Sequence, residues 1–182
     1  EIKKVVITVP AYFNPTQRQS TIDAGKIAGL DVIGIISEPT AAALACADKT
    51  PLKGEKNILI FDFGGGTLDC TLMNINGRKY TVIATSGDVH LGGEDIDIAL
   101  TNYIAGRFKK NTKIDILSSS EYSRQVALLK KHCEEAKIAL SQDGIYEKII
   151  SIPGFYKEHD LNEKINRGTL EYICSSILDR II

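Results

Sequence analysis

At 182 residues the chain has length for one ordinary domain or two small ones, and it can bury a real core. Lys and Arg number 22 against 23 Asp and Glu, with no basic run, which argues against a nucleic-acid-binding surface. No apolar stretch is long enough to span a bilayer as a helix, which argues against a membrane-spanning helix.

The first run, KVVITV at Lys4–Val9, is β-branched and apolar and predicts a strand. Asn14-Pro15 supplies an N-cap and a first-turn proline for a helix that stops near Gly29. Val32–Ile36 reads as a second strand, and Pro39 starts a second helix through the alanine-rich TAAALACA. Strand, helix, strand, helix is the rhythm of an α/β unit. The segment KTPLKGEK, 49–56, breaks that rhythm with Pro, Gly and charge and predicts a subdomain boundary.

Three strand-like runs follow in close succession: ILIFDF, LDCTLMNI and KYTVIATS. The last two join at the hairpin dipeptide Asn76-Gly77, which predicts an antiparallel meander. From LGGED the pattern turns helical to about Lys110, and a polar gap, TKIDILSSS, comes next. Over Glu121–Ser141 the residues Tyr122, Val126, Leu129, Cys133, Ala136 and Leu140 recur at spacings of four and three, so one helix carries a continuous apolar stripe. Glu147–Ile152 reads as a strand and Arg167 onward as a helix. The chain opens on Glu1 without a signal-like start and stops at apolar Ile182 with no cap behind it, so it reads as a piece of something longer.

Cys46, Cys70, Cys133 and Cys174 lie far apart, each in an apolar pattern, and predict buried free thiols. His90, His132 and His159 form no pattern, and a zinc site is not expected.

The stretch FDFGGGTLDC, 61–70, is where the sequence becomes chemical. Three consecutive glycines between two strands carry a large entropic cost unless the backbone must approach something closely. A P-loop would need GxxxxGK[ST] and a following helix, and a dinucleotide fingerprint would need GxGxxG before a helix; neither is present. In a strand–turn–strand setting Gly64, Gly65 and Gly66 can offer successive N–H groups to an anion, and Thr67 adds a hydroxyl. Asp62 and Asp69 flank the turn and suit Mg²⁺, its waters or an attacking water. The competing reading is a β-turn with incidental aspartates.

Other candidates are weaker when taken singly. Gly92 and Gly93 precede a helix whose N-terminus could bind an anion, although Glu94 and Asp95 there are ordinary first-turn acids. Glu38, before Pro39 at a strand end, is held extended, away from the helix start, where ligands of α/β sheets bind. Glu134, Lys137 and Ser141 lie on one side of the long helix and could reach a ligand together, or Glu134 and Lys137 could form a surface ion pair.

These residues together resemble a known family. VVITVPAYFNPTQRQSTIDAGKIAGLDVIGIISEPTAAA, then ILIFDFGGGTLD and GDVHLGGEDID, is closely similar to the nucleotide-binding domain of the heat-shock chaperones of about seventy kilodaltons. The resemblance runs from end to end, most closely over residues 5–100.

It implies an α/β, actin-like (ribonuclease H-like) ATPase fold with two lobes across a nucleotide cleft. Residues 1–51 would end the first lobe, 52–91 form the second lobe's core meander, 92–172 its peripheral subdomain, and 173–182 begin the return to the core. The cofactors implied are ATP or ADP with Mg²⁺. Gly64, Gly65, Gly66 and Thr67 would form the second phosphate loop, while Asp62, Asp69 and Glu38 would hold the metal's water shell and the attacking water. Gly92 and Gly93 would lie near the nucleotide, and Glu134, Lys137, Ile138 and Ser141 match the helix that contacts adenosine. Pro10 and Arg18 match a pair that relays nucleotide state to the substrate-binding domain; read alone, they are a strand terminator and a helix surface charge.

The implied partners are J-domain co-chaperones, nucleotide exchange factors, the protein's own substrate-binding domain and unfolded polypeptides. Free-looking cysteines and the absence of a signal-like start favour the cytoplasm, with the endoplasmic reticulum lumen second. The first phosphate loop, the catalytic lysine and the adenine-closing segment fall outside these 182 residues, so the fragment alone is expected to be inactive. Leu68 and Phe63 exchange the family's usual Phe and Leu, which compensates in volume. Ile138 stands where many members carry a stacking Arg, and extra residues near Leu117–Ser120 lengthen a loop. The alternatives are a non-hydrolysing member acting as co-chaperone or exchange factor, and a kinase or filament protein of the same fold.

Overall fold

The computed structural model describes residues 2–49 and 54–182. The boundary expected at about residue 51 lies outside them. The chain divides into two compact units, Glu1–His90 and Leu91–Ile182.

In the first unit β1 (Lys4–Val9) and β2 (Asp31–Ser37) pair in parallel, joined by α1 (Pro15–Ile27). The α1 start is the capping box that Asn14 promised: its Oδ1 accepts from Gln17 N–H and its own N–H donates to Gln17 Oε1, both at 2.9 Å. Gly25 is needed where α1 meets β2, because a Cβ there would lie 2.5 Å from Val32 Cγ2.

Next comes α2 (Glu38–Lys49), and then β3 (Glu55–Phe63), β4 (Leu68–Asn76) and β5 (Lys79–Asp88), in the antiparallel order β3-β4-β5. Glu38 is the first residue of α2 and is not held clear of it, so its expected extended conformation is corrected. The hairpin is shifted by one residue from Asn76-Gly77: Asn76 pairs with Lys79, and Gly77-Arg78 form the loop. Gly77 takes φ +60 and Arg78 stays out of the left-handed region, the pattern of a turn with glycine at its first central position. The inner face of the meander packs Met73, Ile75, Ile58, Ile60 and Tyr80 around Ala43 of α2.

The second unit holds α3 (Gly93–Thr112), a single 3-10 turn (Ser120–Tyr122), α4 (Ser123–Leu140), the hairpin β6 (Glu147–Tyr156) and β7 (His159–Asn166), and two short helices, α5 (Arg167–Ile173) and α6 (Ser175–Leu178). The α4 stripe is buried at Leu129, Cys133, Ala136 and Leu140, against Leu100, Ile104 and Phe108 of α3. The sequence pattern had not marked β7. Its inward row is Leu161, Glu163 and Ile165, so a charge interrupts the apolar alternation. Glu163 is buried against Arg107 Nε at 2.6 Å, which satisfies it. β6 also outruns its expected end through Pro153 and a bulge, where Gly154 takes φ +59 and donates its N–H to Asp160 Oδ1. The helix expected from Arg167 onward breaks at Cys174 into α5 and α6.

All four cysteines are free. Cys133 and Cys174 are buried as expected, Cys70 is half-buried, and Cys46 is exposed, which corrects its assignment to a core pattern.

Candidate functional site

Strand register builds the site in the first unit. Ile58 pairs with Met73, Ile60 with Thr71, and Asp62 with Asp69. Residues directly opposite share a face, so the two aspartates continue the row that packs on α2. Thr71 in that row is satisfied by the Thr85 hydroxyl at 3.1 Å. Asp69 is not: it is 1% exposed, and neither carboxylate oxygen has a hydrogen-bond partner among the described residues.

A buried carboxylate facing a second carboxylate is an unfavourable arrangement without a cation. Its electrostatics follow from that placement. Burial pushes the Asp69 carboxyl above the ordinary aspartate value and Asp62 pushes it further, while the Ala11 backbone N–H pulls the other way without reaching hydrogen-bond geometry. Glu38, at the start of α2, is raised by burial, then by Asp62 and by Asp69.

The structure therefore brings Glu38, Asp62 and Asp69 into one field. Among the described residues no three His, Cys, Asp or Glu side chains converge tightly enough to ligate a metal directly. Carboxylates that share a field without a common ligation point, one of them with two orphaned oxygens, fit a cation that keeps its waters, as Mg²⁺ does.

Above them is the glycine turn. Phe63 pairs with Leu68, so the two exchanged residues stand directly opposite one another, and residues 64–67 close the loop with Gly64 N–H donating to Thr67 O at 2.9 Å. A Cβ at Gly65 or Gly66 would meet nothing within 4 Å, and neither residue lies in the left-handed region. The chain's own packing thus gives no reason for glycine there. Both are exposed, with Gly64 and Thr67 half-buried beside them.

The β1–α1 loop closes the site from below. Arg18 is half-buried rather than a surface charge: its Nε donates to Phe13 O at 2.9 Å and its Nη2 to Ala11 O at 3.2 Å, while Phe13 N–H returns to Pro10 O. Pro10 and Arg18 thereby frame the loop whose Ala11 amide faces Asp69. Tyr12 was missed from sequence. Its buried hydroxyl has no hydrogen-bond partner among the described residues and lies against Gly87, the residue paired with Asp69 across β4–β5.

In the second unit Glu134, Ile138 and Ser141 are exposed on one side of α4. Lys137, between them, does not pair with Glu134. Its Nζ donates to Asp97 Oδ2 at 2.8 Å and to Gly93 O at 3.0 Å. Ser141 Oγ donates back to Lys137 O at 2.9 Å. Gly92 is buried with its N–H already bonded to Asp95 Oδ2 at 2.8 Å, so this amide is not offered to an anion; Gly93 is the more open of the pair. Two further residues were overlooked. Asp97 carries a visible signal, since it sits in the buried phase of α3 with Leu100, Thr101 and Ile104. Arg167 binds the carbonyls of Leu140, Gln142 and Ile145 around the end of α4, a role no local pattern announces.

Comparison with known proteins matches residues 1–182 to the Hsp70 protein family. The chain is 42% identical over 184 residues to the heat shock cognate HSP70 protein of Trypanosoma brucei brucei, covering 100% of this chain and 27% of that protein. It is 44% identical over 176 residues to heat shock 70 kDa protein 2 of Paracoccidioides lutzii, covering 97% and 26%. The heat shock 70 kDa protein of Emericella nidulans is also 44% identical, covering 97% and 27%. The chain spans about a quarter of the length of these curated relatives. No helix among the described residues is long and apolar enough to cross a membrane.

Proposed function

Because the chain belongs to the Hsp70 protein family and shares the actin-like fold of its ATPase domain, we propose that it supplies one wall of an ATP site whose hydrolysis gates the binding of unfolded polypeptide elsewhere in the full-length protein. The amides of Gly64, Gly65 and Gly66 and the Thr67 hydroxyl hold phosphate oxygens, which explains glycines that the chain's own packing does not require. Asp62, Asp69 and Glu38, which share one field, would hold the water shell of Mg²⁺ and the attacking water. Bound there, Mg²⁺ supplies charge neutralisation at the phosphate oxygens. Asp69, buried and with no hydrogen-bond partner among the described residues, is the group that would receive the proton of that water.

In the second unit Gly93, Lys137, Glu134, Ile138 and Ser141 face the nucleotide's adenosine side, and Gly92 supports Gly93. The loop framed by Pro10 and Arg18 passes nucleotide state to a substrate-binding domain, because its Ala11 amide answers to Asp69. The parts divide as a first-lobe end to about residue 51, a core meander to 91, a peripheral subdomain to 172 and a return segment to 182. J-domain co-chaperones and exchange factors are its partners and the cytoplasm its compartment, with the endoplasmic reticulum lumen as the alternative.

One observation carries this reading: Asp69, buried without a hydrogen-bond partner among the described residues and opposite Asp62, on the strand pair that the glycine turn joins. In the full-length protein Asp62→Ala or Thr67→Ala should slow single-turnover ATP hydrolysis at least ~10-fold, or ~1.4 kcal/mol of barrier. Unchanged rates would remove these residues from the site.

A further inference from the structure

Among the buried charges of the second unit, Asp97 is the one with no assigned task. It stands on α3 with its side chain 5% exposed, and Oδ2 meets Lys137 Nζ of α4 at 2.8 Å. Oδ1 has no hydrogen-bond partner among the described residues. The thiols of Cys133 and Cys174 lie within reach of its charge. Burial raises both, the first to about 11, and the Asp97 charge raises them further. Thr101 does not relieve it, since the Thr101 hydroxyl is given to the Asp97 backbone carbonyl at 2.7 Å.

An ammonium has three donors. Lys137 spends one on Asp97 and one on the Gly93 carbonyl at 3.0 Å, and with 19% of its side chain exposed one N–H remains for something outside. The two internal bonds fix the direction of the third. They also tie the first residue of α3 to the α4 side that carries Glu134, Ile138 and Ser141.

We propose that Asp97 is a positioning residue for nucleotide: it touches no ligand itself, but it aims the free N–H of Lys137 and locks the Gly93 backbone to the exposed side of α4. The proposal rests on the reading that Lys137 faces nucleotide. A rigid ammonium keeps its ligand bond without having to be ordered each time, whereas a lysine released from Asp97 would sample many rotamers and leave a charge buried alone.

The test is a double-mutant cycle in the full-length protein, read by stopped-flow release of a fluorescent ADP. Asp97→Asn should accelerate release about tenfold and raise the KM for ATP more than it lowers kcat. Lys137→Met should accelerate release at least as much, and adding D97N to K137M should change it by less than about twofold, because the effect travels through Lys137. Full additivity of the two, or unchanged release in D97N while K137M is fast, overturns the role of Asp97 and leaves the nucleotide-facing reading in place. Unchanged release in K137M overturns that reading and this inference with it. Should D97N fold poorly, D97L/K137M, which removes both charges together, is compared with K137M: equal release rates support the proposal, and faster release from the double variant overturns it.

Discussion

Replacing Asp69 by Asn tests the physics of the site without any ligand. Asp69 is 1% exposed, its carboxylate oxygens have no hydrogen-bond partner among the described residues, and it faces Asp62 in the strand register. Opposed like charges across a strand pair cost ~0.2–1 kcal/mol, and an ionised group buried without a counter-charge costs several more. The amide of D69N would still incur ~1–3 kcal/mol for its own unmet hydrogen bonds. A net stabilisation of about 1–2 kcal/mol remains. With an m-value of ~2 kcal/mol/M, it moves the urea midpoint up by ~0.5–1 M in buffer free of nucleotide and divalent ions.

The pH dependence carries the sign. Because folding raises the Asp69 carboxyl, the folded state holds its proton more tightly than the unfolded chain does, and stability falls as pH rises from the ordinary aspartate value through the raised one. Glu38 has the same sign, and part of its rise comes from Asp69. The advantage of D69N should therefore be full near about pH 7 and shrink towards about pH 4, where wild-type Asp69 is protonated. A variant less stable than wild type at neutral pH, or an advantage independent of pH, would refute the assignment of Asp69 as an uncompensated buried charge. Placed in the full-length protein, the same substitution should slow single-turnover ATP hydrolysis at least ~10-fold.

Two glycines should respond in opposite ways. Gly65→Ala meets no atom within 4 Å and should leave the urea midpoint unchanged while weakening ATP binding in calorimetric titration of the full-length protein. Gly87→Ala places a Cβ 2.0 Å from the Leu68 carbonyl oxygen, which cannot move without opening β4–β5, and should cost about 3 kcal/mol in the same denaturation experiment. Arg167→Ala removes bonds to three carbonyls at the end of α4 and its stacking over Tyr146, for a loss of about 2 kcal/mol by thermal unfolding. Maleimide labelling followed by mass spectrometry should modify exposed Cys46 first, and Cys133, fully buried with its thiol pushed up to about 11, only on unfolding.

Periodicity and turn chemistry carried most of the fold. β-branched runs, the Asn14-Pro15 cap and the four–three stripe of α4 are local signals, and local rules place them within a residue or two. The glycine turn between β3 and β4 was legible for the same reason, since three glycines with flanking acids are adjacent in sequence. The failures share one cause. Glu163 in β7 and Asp97 in α3 look like solvated acids until Arg107 and Lys137, 56 and 40 residues away, arrive to neutralise them. Arg18 looks like a surface charge until the β1–α1 loop folds its carbonyls back onto it.

The sequence by itself determined where the glycine turn falls and where strands and helices begin, because those depend on neighbours a few positions away. Only the tertiary structure decided that Asp62 stands opposite Asp69, that Glu38 shares their field, and that the ammonium of Lys137 is already spoken for by Asp97 and Gly93. Register, burial and the pairing of charges depend on segments distant in sequence, and a carboxylate's role is set by what folding removes from around it: water, and every other partner.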